Sequence, residues 1–433
     1  MVRIRSSRVV VDGTVRPATI GFETGVITEI SSGVADLDYG DRVILPGLVD
    51  SHVHVNEPGR SEWEGFASAT RAAAAGGTTT IVDMPLNSIP PTVTTEALRV
   101  KRSAAVGKLT VDVGFWGGLI PGSGAEISSL VSDGVCGFKS FLVDSGVDEF
   151  PAVSLTDLEE GLVQMAALGV PSLLHAEDPA SILQIQGDAR SYRSYLESRP
   201  ATGEGSAVGS AARLAADTGA QVHILHVSSA DAVEELARGP ASLTGETCPH
   251  YLIFCADDIE DGATAFKCAP PIRDSNHRDR LWEGLQDRTL AMVVSDHSPA
   301  PADLKELQTG DFARAWGGVG SLQLRLQAVW TGASRRGLGI ENLAAWLAAK
   351  PAELAGLGSK GAIEVGKDAD FVVFDPDDST KVRGRSLEHR HPITPYDGMT
   401  LRGSVITTIL RGETVFDRGA LTTGSGRMLV RDG

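Results

Sequence analysis

The sequence predicts an α/β fold with two units, on two observations. Through the middle of the chain, apolar runs of strand length alternate with segments of helical length, whereas both ends are rich in short strand-like runs separated by Gly and Asp. Alternating strands and helices are typical of βαβ units around a parallel sheet, and successive short strands are typical of an antiparallel one. We therefore expect a parallel α/β unit in the middle and a small β unit assembled from both termini.

The middle of the chain contains eight apolar runs of strand length. They lie at residues 47–53, 79–84, 110–116, 135–142, 170–175, 221–227, 242–248 and 290–295. Helix-like segments include residues 61–75, 155–168 and 206–218, and two more follow the last run at 321–335 and 341–349. Eight βα units in sequence predict a (β/α)8 TIM barrel, whose catalytic side chains lie at the C-terminal ends of its strands. The seventh run is the weakest, because it holds Gly245 and Glu246.

The two ends of the chain share one pattern. Short alternating runs lie at residues 9–11, 18–22 and 26–30, and again at 370–374, 405–410 and 413–416. This pattern predicts a small β-sandwich domain built from residues 1–45 and 360–433. The barrel then takes residues 46–359, so that we expect two domains rather than three.

Composition and charge narrow the class of protein. Of the 433 residues, 42% are hydrophobic and 22% charged, which is typical of a globular chain. The net charge of −17 and a pI near 5.0 argue against binding to nucleic acid or to an anionic membrane. The four cysteines form no disulfide framework, the N-terminal segment has the pattern of a strand, and no apolar run approaches the roughly 18 residues of a membrane span. We expect a reduced, cytoplasmic protein.

Six side chains at or near the ends of five barrel strands could bind metal. They are His52 and His54 on the first run, Lys139 on the fourth, His175 on the fifth, His226 on the sixth and Asp296 after the eighth. Residues two apart on a strand point to the same face, so the first two can bind one ion. Each residue alone has an ordinary structural explanation, such as a core histidine or a helix N-cap. Their convergence on one barrel mouth is what favours a metal site.

The other histidines fit this site less well. His223 lies three residues before His226, an odd separation that sends the two side chains to opposite faces of a strand. His297 follows Asp296 directly and should point away from it, either supporting a ligand or packing structurally. His250 ends the seventh run and either faces the substrate or is structural. The remaining three lie away from strand ends and are expected at the surface or at a domain contact: His277, His389 and His391.

This constellation resembles the amidohydrolase superfamily, from residues 46–54 (PGLVDSHVH) to 366–370 (GKDAD). In its cyclic-amidase branch, the resemblance implies that Lys139 is carbamylated by CO2 to N6-carboxylysine and bridges two divalent metal ions. It implies a further division of the ligands: His52, His54, Lys139 and Asp296 for one metal, and Lys139, His175 and His226 for the other. A hydroxide between the metals would attack the amide, and Asp296 would act as general base and then as general acid. The metals are expected to be zinc, with iron, cobalt or manganese as alternatives. The resemblance also implies a homotetramer.

Within this branch, several longer segments are similar to the allantoinases. These segments are residues 54–65 (HVNEPGRSEWEG), 83–87 (DMPLN), 295–299 (SDHSP), 315–318 (AWGG) and 387–391 (LEHRH). This likeness implies hydrolysis of the hydantoin ring of allantoin to allantoate, a step of purine catabolism. It also implies a small-molecule substrate and neither a nucleic-acid nor a membrane partner. Asn87, His250, Gly317 and Gly318 are the candidate substrate contacts, although an ordinary turn or loop role is about as plausible for each.

Three alternatives stay open. Dihydroorotases bind the ring carboxylate of their substrate with Arg, Asn and His, at positions where this chain has Asn56, Ala269 and Ala300. A carboxylate would therefore be poorly bound here unless Arg60 takes the place of these three residues. A hydantoinase is possible because the unsubstituted ring is part of allantoin. A non-catalytic assembly protein of the same fold would have lost metal ligands, and none of the six is substituted. The loop at residues 143–150 looks short and divergent for this branch, which leaves substrate breadth and stereochemical preference open.

Overall fold

All eight barrel strands are present in the computed structural model, which describes residues 1–422 and 424–432. They are β6 (Leu48–Val53), β7 (Thr78–Asp83), β8 (Asp112–Phe115), β10 (Phe138–Phe141), β11 (Ser172–His175), β12 (Val222–Ile224), β13 (Leu243–Thr247) and β14 (Met292–Val293). A two-residue strand that the sequence did not suggest, β9 (Gly117–Gly118), pairs with β10. Every pairing between neighbouring barrel strands is parallel.

Hydrogen bonds across two seams close these strands into a barrel. The ladders form a three-stranded sheet, β6-β7-β8, and a six-stranded sheet that runs from β14 to β9. At one seam, the His54 amide donates to the His297 carbonyl (2.8 Å). At the other, the Cys136 amide donates to the Phe115 carbonyl (2.9 Å). The predicted TIM-barrel fold is therefore confirmed, and the C-terminal ends of its strands meet at one rim.

The helices pack around the barrel and at its rim. They are α1 (Phe66–Ala75), α2 (Thr95–Ala105), α3 (Ile127–Ser132), α4 (Leu155–Leu168), α5 (Tyr192–Glu197), α6 (Ala201–Thr218), α7 (Ala230–Arg238), α8 (Pro249–Ile253), α9 (Ser275–Gln286), α10 (Arg325–Arg335), α11 (Glu341–Ala344) and α12 (Lys350–Ala355). A π-helical turn, Ala345–Ala349, joins α11 to α12. In the described part of the chain, no helix combines the length and the apolar character needed to cross a bilayer.

Local signals explain where two of these helices begin. Helix α4 has the bounds expected from the sequence, because Ser154 and Asp157 form a reciprocal capping box at its start and Gly169 ends it in a left-handed conformation. Helix α1 begins five residues later than expected. Its first amide, at Phe66, is capped by the Glu57 carboxylate (2.9 Å), which lies nine residues earlier and outside the usual N-cap position.

Strands from both ends of the chain form one nine-stranded sheet, which confirms a separate β unit assembled from both termini. They are β1 (Val2–Val11), β2 (Thr14–Glu23), β3 (Val26–Ser31), β4 (Leu37–Asp38), β5 (Val43–Pro46), β15 (Phe371–Lys381), β16 (Thr400–Leu410), β17 (Glu413–Asp417) and β18 (Ala420–Leu421). Strand β5 lies between β1 and β15 and so joins the two halves. The sheet has its own apolar core, which includes Ile20, Phe22 and Phe371. Domain limits at 1–45, 46–359 and 360–433 stay a prediction.

A buried ionic cluster joins the terminal sheet to the barrel. The Lys360 ammonium lies 2.6 Å from Asp112 of β8, 2.8 Å from Asp368 and 2.9 Å from Asp370. Arg411 also donates to Asp112. Burial alone would lower the pKa of Lys360, but the Asp370 and Asp112 carboxylates outweigh it and raise that pKa. Because Lys360 and Arg411 already pair with these carboxylates, the cluster acts as a structural junction.

Candidate active site

The structure brings the six predicted metal ligands together at the rim of the barrel. All six are buried, and none is more than 7% exposed. Asp296 Oδ1 lies 3.1 Å from His52 Nε2 and 3.6 Å from His54 Nε2. The Lys139 ammonium lies 3.3 Å from His52 Nε2. One ligand atom from each of His52, His54 and Asp296 lies within 4.8 Å of the other two, so the three residues could bind a single metal ion.

A second pair of histidines lies beside this group. His175 Nδ1 is 3.0 Å from His226 Nε2, and the ring centroids of His52 and His226 are 5.5 Å apart. The other ring nitrogen of His226, Nδ1, is buried and has no hydrogen-bond partner among the described residues. Two imidazoles whose nitrogens converge next to the first group extend it into a six-residue cluster.

The backbone at two of these candidate ligands has a conformation that is rare outside glycine. His226 and Asp296 have φ values of 39° and 45°, in the left-handed region. Each follows the last residue of a barrel strand by two or three positions, so the chain turns sharply there and directs the side chain over the barrel mouth. Strain of this kind is concentrated at functional sites.

Burial and neighbouring charges set the charge state of the cluster. Burial lowers the pKa of Lys139 to about 8, and burial followed by the Lys139 charge lowers the pKa of His54 to about 3. Burial alone would raise the pKa of Asp296, but His52 and hydrogen bonds from His52 and His54 hold it well below its usual value. A neutral His54 and an ionised Asp296 are the forms that bind a divalent cation. The mixed nitrogen and oxygen donors therefore fit a divalent transition metal.

A carboxylate that the sequence analysis did not select, Glu246 on β13, orients two histidines. Its Oε1 lies 2.6 Å from His52 Nδ1, and its Oε2 lies 3.2 Å from His223 Nε2. His223 also contacts Thr244 Oγ1 (2.7 Å), so both of its nitrogens are used away from the cluster. Together with Gly245, Glu246 is the reason why the seventh strand was the weakest strand prediction. A charged residue within a buried strand was the available signal, since such a group needs a partner inside the fold.

Replacing Glu246 by Gln is expected to weaken metal binding about 10- to 100-fold, because a carboxylate behind a histidine ligand fixes the ring and raises its basicity. The measurement is metal content after dialysis against graded chelator concentrations. A matched control is Glu64→Gln, since Glu64 is equally buried and contacts another histidine, His297, at 3.1 Å. Equal metal loss in both variants would contradict a specific role for Glu246.

His175 is held in a similar way. Its Nε2 lies 2.7 Å from Glu177 Oε2, and Arg199 donates to the same carboxylate oxygen. Burial alone would raise the pKa of Glu177, but His175 and Arg199 lower it to about 2. The ionised carboxylate thus accepts from His175 Nε2 and leaves Nδ1 directed at His226.

The cluster opens into a cavity of about 780 Å³. Three of the four candidate substrate contacts line it: Asn87, Gly317 and Gly318. The Asn87 amide nitrogen lies 3.3 Å from His54 Nδ1. The fourth candidate, His250, does not line the cavity. It is fully buried, its ring nitrogens have no partner among the described residues, and burial lowers its pKa to about 4.

The family follows from a comparison with known proteins. A model of the amidohydrolase family matches residues 43–415, which include the barrel, all six candidate ligands and part of the terminal sheet. The chain belongs to the amidohydrolase family. The resemblance inferred from the sequence motifs is therefore confirmed.

Curated relatives of this amidohydrolase include three allantoinases. The allantoinase of Streptomyces avermitilis is 48% identical, and the match covers 99% of this chain and 98% of the relative. The allantoinase of Arabidopsis thaliana is 42% identical (96% and 88% covered), and that of Saccharomyces cerevisiae is 41% identical (99% and 98%). Among solved structures, L-hydantoinase (dihydropyrimidinase) from Arthrobacter aurescens is 31% identical with a TM-score of 0.94, and both chains are fully covered.

In this amidohydrolase, the arginine that could have replaced the carboxylate clamp, Arg60, is engaged in other contacts. Arg60 pairs with Glu149, donates to the Asn87 carbonyl (3.0 Å) and lies over the Trp63 ring at 5.0 Å. It does not line the cavity. The loop at residues 143–150, which supplies Glu149, therefore holds Arg60 aside, and the positions of Asn56, Ala269 and Ala300 gain no cationic substitute from it.

Proposed function

We propose that this amidohydrolase is an allantoinase, which opens the hydantoin ring of allantoin by hydrolysing its cyclic amide to give allantoate in purine catabolism. The observation that carries the proposal is that allantoinases from a bacterium, a plant and a yeast match nearly the whole chain at 41–48% identity. The motifs around the cavity, including the Trp316–Gly318 segment, support the same substrate.

The proposed ligands are the six clustered residues. His52, His54 and Asp296 would bind one metal and His175 and His226 the other, with Lys139 between them as a carbamate. Bound divalent metal ions, for which zinc is our first choice, would activate a water molecule and polarise the scissile carbonyl. Asp296 would accept the proton of the attacking water on a carboxylate oxygen and return it to the departing ring nitrogen.

Lys139 is well placed for the proposed modification. CO2 adds only to a neutral amine, and the lowered pKa of this lysine increases the neutral fraction near pH 8. A carbamate replaces a cation by an anionic pair of oxygens, which are better metal ligands than an ammonium. The short distance from Lys139 to His52 supports a shared ion at this point.

Ring opening should be strongest with allantoin when allantoin, hydantoin and dihydroorotate are offered to purified protein side by side. Metal content is measured on the same sample. Preference for dihydroorotate would contradict the proposal and favour the dihydroorotase alternative, and preference for hydantoin would favour a hydantoinase. A folded, metal-free protein that is inactive on all three would favour the non-catalytic alternative.

Two further properties belong to the proposal. We expect a homotetramer, in line with the resemblance to this branch of the family, and a cytoplasmic location. Size-exclusion chromatography with light scattering tests the first, and fractionation of the source cells tests the second.

A further inference from the structure

A fully buried lysine, Lys305, lies behind the cavity wall and is not used by the proposed reaction. Its side chain is 2% exposed. The ammonium donates to three backbone carbonyls: Trp316 (2.9 Å), Gly318 (2.9 Å) and Lys267 (3.3 Å). Trp316, Gly318 and Lys267 all line the cavity. One buried cation therefore ties together two segments of the wall.

The orientation of one peptide bond determines where the Gly317 N–H points. The peptide between Trp316 and Gly317 is trans, so its carbonyl and its N–H point in opposite directions. Because the carbonyl points at Lys305, the Gly317 N–H points away from Lys305. Within residues 1–422 and 424–432, this N–H has no acceptor. Gly317 is also not crowded, since an added Cβ would come no closer than 3.9 Å to the Ala269 backbone nitrogen.

The neighbouring Gly318 is fixed by the same arrangement. Its amide donates to the Lys267 carbonyl (2.8 Å), which also accepts from Lys305. Its φ is 148°, and an added Cβ would lie 2.2 Å from the Ser298 carbonyl oxygen. Only glycine fits this approach, so the segment has little freedom once Lys305 is in place.

We propose that Lys305 is a positioning residue for substrate binding: its ammonium holds the Trp316–Gly318 segment so that the Gly317 N–H faces the substrate carbonyl. A buried ammonium balanced by carbonyl dipoles alone is costly, and an apolar side chain would fill the space without that cost. The pKa of Lys305 is lowered to about 7 by burial; Cys268 partly offsets this shift and the Lys267 charge adds to it. The lowered pKa reflects the same cost of burying a charge. The three fixed carbonyls explain why a cation is useful there.

The test is Lys305→Met, which keeps the length of the side chain and removes the donors. We expect the KM for allantoin to rise about tenfold or more while kcat changes less than threefold, because the substrate loses a positioned donor but the cluster around Asp296 is untouched. Without substrate, amide exchange in the peptide that contains residues 315–318 should become faster. Lys305→Arg retains donors and should recover part of the affinity.

A matched control and a second variant make the result decisive. Lys101→Met removes another fully buried lysine, one paired with Asp83 (2.6 Å) away from this segment, and should lower Tm with little change in KM. Lys305→Leu, which also has no donor, replaces the methionine variant if that one is insoluble, and the same split between KM and kcat is expected.

The inference rests on the proposed function only in its kinetic arm. Wild-type protein that is inactive on allantoin would contradict the proposed function, whereas the exchange measurement would still test Lys305. Active wild type with unchanged KM and unchanged exchange in Lys305→Met would overturn the inference alone.

Discussion

Lys139→Ala is expected to lose activity on allantoin by at least about 1000-fold, with partial recovery on adding a short carboxylic acid such as acetate or propionate. The substitution removes the group proposed to bridge two metals and leaves a space that a carboxylate can enter. Activity is measured by ring opening, together with metal content and Tm. Since the lysine is 1% exposed and its burial disfavours the charge, the variant should fold normally.

Two controls make this result specific. Lys139→Arg keeps a cation but cannot be carbamylated, and it fills the space, so acid should not restore its activity. An amine of similar size, such as ethylamine, should not restore the alanine variant. Turnover within tenfold of wild type in Lys139→Ala would exclude the proposed bridge.

Asp296→Asn is expected to lower kcat by roughly 1000-fold while leaving most of the fold intact. An amide keeps one oxygen near His52 and His54 but cannot accept the proton of the attacking water, and general base catalysis contributes about 10²–10⁴-fold. The measurement is kcat at saturating allantoin on samples whose metal content has been determined. The loss should remain when metal occupancy is restored to the wild-type level.

A matched comparison separates proton transfer from metal binding. Glu246→Gln should lose activity only in proportion to its metal loss, because Glu246 contacts His52 and has no proposed contact with substrate. If Asp296→Asn behaved in the same way, with full activity at full occupancy, Asp296 would be a ligand alone and its role as the base would be wrong.

The barrel and the convergence of the six candidate ligands could be predicted because they depend on local patterns. Strand-length runs set the order of β6 to β14, and the rule that barrel sites lie at the C-terminal ends of strands selects polar residues there. For His223, the prediction that it stays out of the cluster agrees with its contacts, but the reason is different. Strand β12 ends at Ile224, so His226 lies in a turn where the alternation of faces no longer applies.

The supporting residues could not be predicted, because their partners are distant in sequence. Glu246 meets His52 across the barrel, and Lys305 meets Lys267 and the Trp316 carbonyl from a segment without regular structure. No periodicity connects such residues. A buried charge becomes informative only when the fold shows what faces it.

The position of β5 has a consequence for how the chain folds during synthesis. Residues of β5 pair with β1 on one side and with β15 on the other, so that Leu45 lies opposite Val372. When the first five strands leave the ribosome, one edge of β5 has no partner until the whole barrel and then β15 have been translated. Unpaired edges of this kind invite association with other chains. We therefore expect chains truncated before Phe371 to aggregate even when their barrel residues are complete.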